Sequence, residues 1–126
     1  MWIMIAGPYT SGARTESERA ANLRAMNAAA YRVFQLGHTP VIGVNMALPV
    51  IEAARSVDHS HSDDHSGKHD ALMMPISLAL AARCDAVLRI GGPSKGADEE
   101  VEVIRARGGK VFSRLEDVPG HPSPGS

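Results

Sequence analysis

Three observations predict an α/β chain in a flavodoxin-like or Rossmann-like three-layer sandwich, with a parallel sheet of four to five strands. Short apolar runs alternate with longer segments whose apolar residues recur at helical spacing. The short runs lack polar alternation, as strands covered on both faces do. Glycine stands at nearly every junction between them. With 126 residues, 44% apolar and 21% charged, the chain has the size and balance of one globular domain.

Each element follows in order. Residues 2–6, Trp-Ile-Met-Ile-Ala, make a buried first strand ended by Gly7-Pro8. Residues 15–36 place Ala20, Leu23, Met26 or Asn27, Ala30, Val33 and Phe34 on one helical stripe. Thr15 or Ser17 supplies the N-cap and Gly37 the C-cap. Residues 39–44 are β-branched and read as a second strand, paired with the first through a right-handed crossover. Residues 46–55 form a shorter second helix. In residues 56–70 there are four His, four Asp and four Ser, with Val57 the one large apolar side chain. Burial there cannot offset the entropy of ordering, so a mobile polar loop is expected. A helix over 71–83, a strand over 85–90, a helix from 95 or 96 to 107 and a strand over 110–113 complete the domain. It is expected to span residues 1–118, with a frayed Pro/Gly/Ser-rich tail over 119–126.

Composition excludes several function classes. Net charge is −1, from 13 basic and 14 acidic residues, which gives no electrostatic footprint for a nucleic-acid polymer. Five aromatic residues are too few for a platform that stacks single-stranded bases. The lone cysteine, Cys84, forms no intrachain disulfide, and the reading places the protein in the cytoplasm. The apolar start is six residues long, against the roughly 20 that span a bilayer, so no membrane partner is expected.

In parallel sheets ligands sit beyond the carboxyl ends of the strands, where strand order reverses. The loops at 7–12 and 91–100 are expected to meet there. In the first, Gly7 and Pro8 shape the turn while Tyr9, Thr10 and Ser11 offer hydroxyls and an aromatic face. It lacks the GxxxxGK[ST] pattern of a phosphate-binding P-loop, and the same residues suit an ordinary strand-to-helix turn. The second loop, Gly91-Gly92-Pro93-Ser94-Lys95-Gly96, opens a helix and makes an anion site from Ser94, Gly96 and free backbone N–H groups. Asp98, Glu99 and Glu100 follow in the first turn, where the macrodipole favours carboxylates by about 0.3–1 kcal/mol each. Acids at a helix start need no catalytic explanation. Glu100, however, lies one step off the apolar spacing Ala97–Val101–Ile104, at the edge of the buried face.

Ile5-Ala6-Gly7-Pro8-Tyr9, Leu36-Gly37-His38, the join 82–88 (Ala-Arg-Cys-Asp-Ala-Val-Leu), Ser94-Lys95-Gly96-Ala97-x-x-Glu100 and Gly108-Gly109-Lys110-Val111 occur in that order. Together they resemble the nucleoside 2-deoxyribosyltransferase-like superfamily, particularly its small members of the DUF4406 type, across residues 2–113. The resemblance implies an N-glycosidic bond hydrolase or 2-deoxyribosyltransferase acting on a nucleoside or nucleoside 5′-monophosphate. Glu100 matches the glutamate that attacks the anomeric carbon, a step for which a carboxylate is chemically suited. Tyr9 is expected to position the sugar or that carboxylate. Ser94 matches a serine that holds a 5′-phosphate, with Gly96 beside it. The family commonly carries an aspartate, linked to the leaving base, where this chain has Ser77, and serine is no strong acid or base near neutral pH. Asp70, seven residues earlier, is the candidate substitute. The alternative is a catalytically inactive nucleotide-binding or sensing module.

Three further features are read as structural. Asp85 lies at the amino end of the third strand, away from the expected site, and Cys84 reads as a small buried residue. The His/Asp-rich stretch has atoms that suit Zn²⁺ or Ni²⁺ but no fixed ligand spacing, and it reads as a polar lid. No metal site and no cofactor are expected. A homodimer or higher homo-oligomer is implied by the resemblance.

Overall fold

A computed structural model describes residues 1–57 and 65–120, with backbone alone for 65–70. The elements run β1 (Trp2–Ala6), α1 (Glu16–Gln35), β2 (Thr39–Val41), α2 (Gly43–Val57), α3 (His65–Ala81), β3 (Ala86–Arg89), α4 (Lys95–Ala106) and β4 (Lys110–Phe112). A single 3₁₀ turn, Leu115–Asp117, follows. The four strands form one parallel sheet of order β2-β1-β3-β4, flanked by helices in a three-layer α/β sandwich.

Side-chain alternation along the two central strands divides the core between the faces. Ile3, Ile5, Ala86 and Leu88 pack with Met26 and Val33 of α1 and with Val118. Met4, Ala6 and Val87 point the other way, onto Ala81, Cys84, Ala97, Val101 and Ile104 from the α3–α4 side. Both sets are buried, which is why β1 and β3 read as unbroken apolar runs. At the amino edge Asp85 Oδ2 accepts from Trp2 N at 2.8 Å, a structural role far from the strands' carboxyl ends.

Helix ends follow their sequence signals. Thr15 Oγ1 accepts from Glu18 N at 3.1 Å, so the N-cap of α1 is Thr15 rather than Ser17. Two boundaries depart from expectation. β2 stops at Val41 and α2 starts at Gly43, because β2 is an edge strand that needs only three residues to pair Trp2, Ile3 and Met4. Both ends of the loop expected at 56–70 are helical instead: α2 continues to Val57 and the α3 backbone is helical from His65. Once a packed segment such as 71–81 pays for nucleation, extending a helix through polar residues costs little. The histidine stretch 58–64 lies outside the described residues, as does the tail beyond Gly120. Pro119, placed in the frayed tail by sequence, is tied down, with its carbonyl accepting from His38 Nε2 at 2.5 Å.

The loops after β1 and β3 are locked together at their bases. Ile90 N donates to Ala6 O at 2.9 Å, extending the ladder one residue past the end of β3. Gly91 has φ +77°, and a Cβ there would lie 2.7 Å from Pro8 Cδ. Gly92 has neither constraint, with nothing within 4 Å of its added Cβ. In urea unfolding, Gly91→Ala is expected to lose about 1–3 kcal/mol from left-handed strain and the clash, whereas Gly92→Ala stays within about 1 kcal/mol of the parent.

Candidate functional site

A cleft of about 90 Å³ opens at the carboxyl ends of β1 and β3. Its rim comes from the β1 loop, through Gly7, Tyr9, Thr10 and Ser11. The N-cap and first two turns of α4 supply Ser94, Gly96, Ala97 and Glu100. The remaining wall is Val44 from α2 with Met73, Met74 and Ser77 from α3. The cleft thus gathers most of the candidates read from sequence. Pro8 sits behind the rim against Gly91 and does not line it. The Asp70 side chain lies outside the described residues.

Ser94 is first of all the N-cap of α4: its hydroxyl accepts from Ala97 N at 3.1 Å, and it is buried. That bond uses one oxygen lone pair and leaves the hydroxyl proton to donate. No described hydrogen bond takes the Gly96 N–H. A helix start with a free donor beside a serine hydroxyl favours an anionic group in the cleft.

Glu100 lies deeper, 8% exposed. Burial is the main force on its carboxyl and pushes the pKa up to about 7. The Ser77 hydroxyl and the Arg89 guanidinium act the other way. Ser77 is itself 3% exposed. A Cβ added at Gly43 would overlap the Ser77 hydroxyl and come 3.1 Å from Glu100 Oε2. Three helices therefore converge on one carboxyl: α2 at its first residue, α3 at Ser77 and α4 at its first turns. Because α2 begins at Gly43, the positive end of its macrodipole also lies beside this carboxyl.

Arg89, at the end of β3, fixes the approach to α4. It donates to the carbonyls of Ile90 and Gly92 (2.9 Å for the latter) and to Asp98 Oδ1 at 3.1 Å. Its side chain is 19% exposed against 70% for Asp98, so the ion pair is anchored from the Arg89 side. Cys84 lies outside the cleft, buried, with its thiol pushed up to about 11, first by desolvation and then by Asp85. It is no nucleophile near neutral pH.

Sequence reading passed over Gly43, Val44, Met73, Met74 and Arg89. The signals were present: Met73 and Met74 precede Ser77 by four and three residues, one helical face. Arg89 is a cation ending an apolar strand. Gly43 was hidden because β2 was drawn through residue 44.

The chain matches no family model, no curated protein and no solved structure. No helix among the described residues is long and apolar enough to cross a membrane.

A buried carboxyl with a raised pKa has a testable sign. Below about pH 4.5 folded and unfolded chains both hold the proton, so nothing is lost. Between pH 4.5 and 7 the unfolded chain ionises first, and stability falls by about 3 kcal/mol in all. Glu100→Gln, which cannot ionise, is expected to melt several degrees above the parent at pH 8.5 and level with it at pH 4.5. Equal melting temperatures at both pH values would mean that the carboxylate is solvated.

Proposed function

We propose that the protein cleaves the N-glycosidic bond of a nucleoside 5′-monophosphate, or of the corresponding nucleoside, with Glu100 as nucleophile. The observation that carries this reading is a buried carboxyl, the one that lines the cleft among the described residues, set between an anion-favouring helix start and an apolar wall. The phosphate or 5′-hydroxyl would lie at Ser94 and the Gly96 N–H, and the base against Val44, Met73 and Met74. The sugar would sit between them, over Glu100 and beside Tyr9.

In the first step a Glu100 carboxylate oxygen bonds to the anomeric carbon as the carbon–nitrogen bond breaks, and the base leaves with the electron pair. The base is protonated from solvent or from a side chain facing it. Water, or a second base, then attacks the anomeric carbon and releases the carboxylate. Attack needs the ionised form, so the rate should rise with pH through about 7 and level off above it. A nucleotide-binding module that turns nothing over is the second reading, favoured by Ser77, which offers the cleft a hydroxyl and no acid. In that case nucleotides raise the melting temperature and no base appears.

Base release from a panel of ribo- and deoxyribonucleoside monophosphates, followed by chromatography, decides between them. The wild type is expected to release base from at least one member, and Glu100→Ala to lower kcat/KM by roughly 10³-fold or more. Equal release by Glu100→Ala, or none by the wild type, removes the enzymatic reading. Ser94→Asp keeps a good N-cap but sets a carboxylate against the phosphate. It should raise KM for the monophosphate by roughly tenfold and leave the free nucleoside little changed.

A further inference from the structure

The cleft contains a hydroxyl that base release does not by itself require, that of Ser77, set close to the Glu100 carboxyl, and both residues are more than nine-tenths buried. They come from different helices and meet only because residue 43 has no side chain. From this geometry we infer that Ser77, seated in the space left by Gly43, is a positioning residue that holds Glu100 in its ionised, attack-ready form. The inference rests on the nucleophilic role proposed for Glu100, while its physical content is independent of turnover.

A carboxylate out of water is stabilised mainly by donors aimed at it. Among the described residues, the groups facing Glu100 from each packed element are few. α3 presents the Ser77 hydroxyl, and α2 presents the Gly43 backbone at its positive end. β3 contributes the charge of Arg89, whose guanidinium is already engaged with two carbonyls and Asp98. The β1 loop brings Tyr9 to the same cleft. Cys84 feels the Glu100 charge but carries a neutral thiol. Ser77 is thus the neutral side-chain donor at the carboxylate, and it adds no second negative charge. An acid in its place would share a proton with Glu100 and raise its proton affinity.

Gly43 makes this arrangement steric as well as electrostatic. A methyl group there overlaps the Ser77 hydroxyl and must push it away from Glu100. Gly43→Ala should therefore act on Glu100 chiefly by displacing Ser77, with a smaller direct part from its own methyl 3.1 Å from Oε2.

The test is the titration of the Glu100 side-chain carboxyl by carbon-13 NMR on the full chain, with its signal assigned by its loss in Glu100→Gln. Ser77→Ala is expected to raise the midpoint by about one pH unit, and Gly43→Ala to raise it similarly. The double variant should rise by clearly less than the sum of the two single shifts. A midpoint in Ser77→Ala at or below that of the parent overturns the inference, and so does a double variant whose shift is the sum of the two. Ser77→Ala removes one oxygen and decides the matter by itself should Gly43→Ala fail to fold. If base is released, the acid limb of kcat/KM in Ser77→Ala should move up by the same amount. Absence of base release removes the enzymatic reading and leaves the titration result standing.

Discussion

Parallel strands leave a gap where their connections part, and here the gap opens between β1 and β3. With strand order β2-β1-β3-β4, the chain leaves β1 for the α1 face and leaves β3 for the α4 face. The crevice between the two departures is the switch point of the sheet. The contents of the cleft follow from that. Gly91 must adopt a left-handed conformation so that its loop clears Pro8, and Ser94 must cap α4 at once because the helix starts beside the sheet. Glu100, in the second turn of that helix, is then carried inward under the shelter of α2 and α3.

Much of this was legible in the residues themselves. Unbroken apolar strands implied cover on both faces, and the two glycine turns implied where loops would meet. Glu100 stood out because it lay one step off the apolar stripe of its helix, the position from which a side chain reaches neither solvent nor core cleanly. What escaped was everything contributed by elements distant in sequence. Gly43 means nothing until Ser77 is seen against it, and a methionine pair looks like core until a cleft opens beside it. Arg89 reads in sequence only as part of the strand 85–90, yet it pins the carbonyls of the turn that follows. The extent of α3 escaped for a different reason: residues 65–70 are polar in sequence and lack the apolar spacing that makes a helix visible to pattern reading.

Ser77 changes meaning between the two levels. Read in sequence, it is an absence, a hydroxyl where the resemblance calls for an acid. In the fold it is a buried donor packed against Gly43 and facing a carboxyl that burial would otherwise keep protonated. The desolvation that would make an anionic Glu100 reactive as the proposed nucleophile also makes it costly. The same burial that raises its proton affinity destabilises the folded chain above neutral pH. Such a group persists where stability is exchanged for chemistry.

The most direct measurement is to trap the sugar on the protein. A 2-fluoro-2-deoxy nucleoside monophosphate, whose fluorine destabilises both oxocarbenium-like transition states and so slows hydrolysis of the glycosyl ester once formed, would be incubated with the protein, and the digested product read by mass spectrometry. If Glu100 is the nucleophile, the peptide carrying it should gain the mass of one fluorinated sugar phosphate, and Glu100→Gln should gain nothing. A protein that releases base from the natural substrate while this peptide stays unmodified, or an adduct on another side chain, would contradict the assignment.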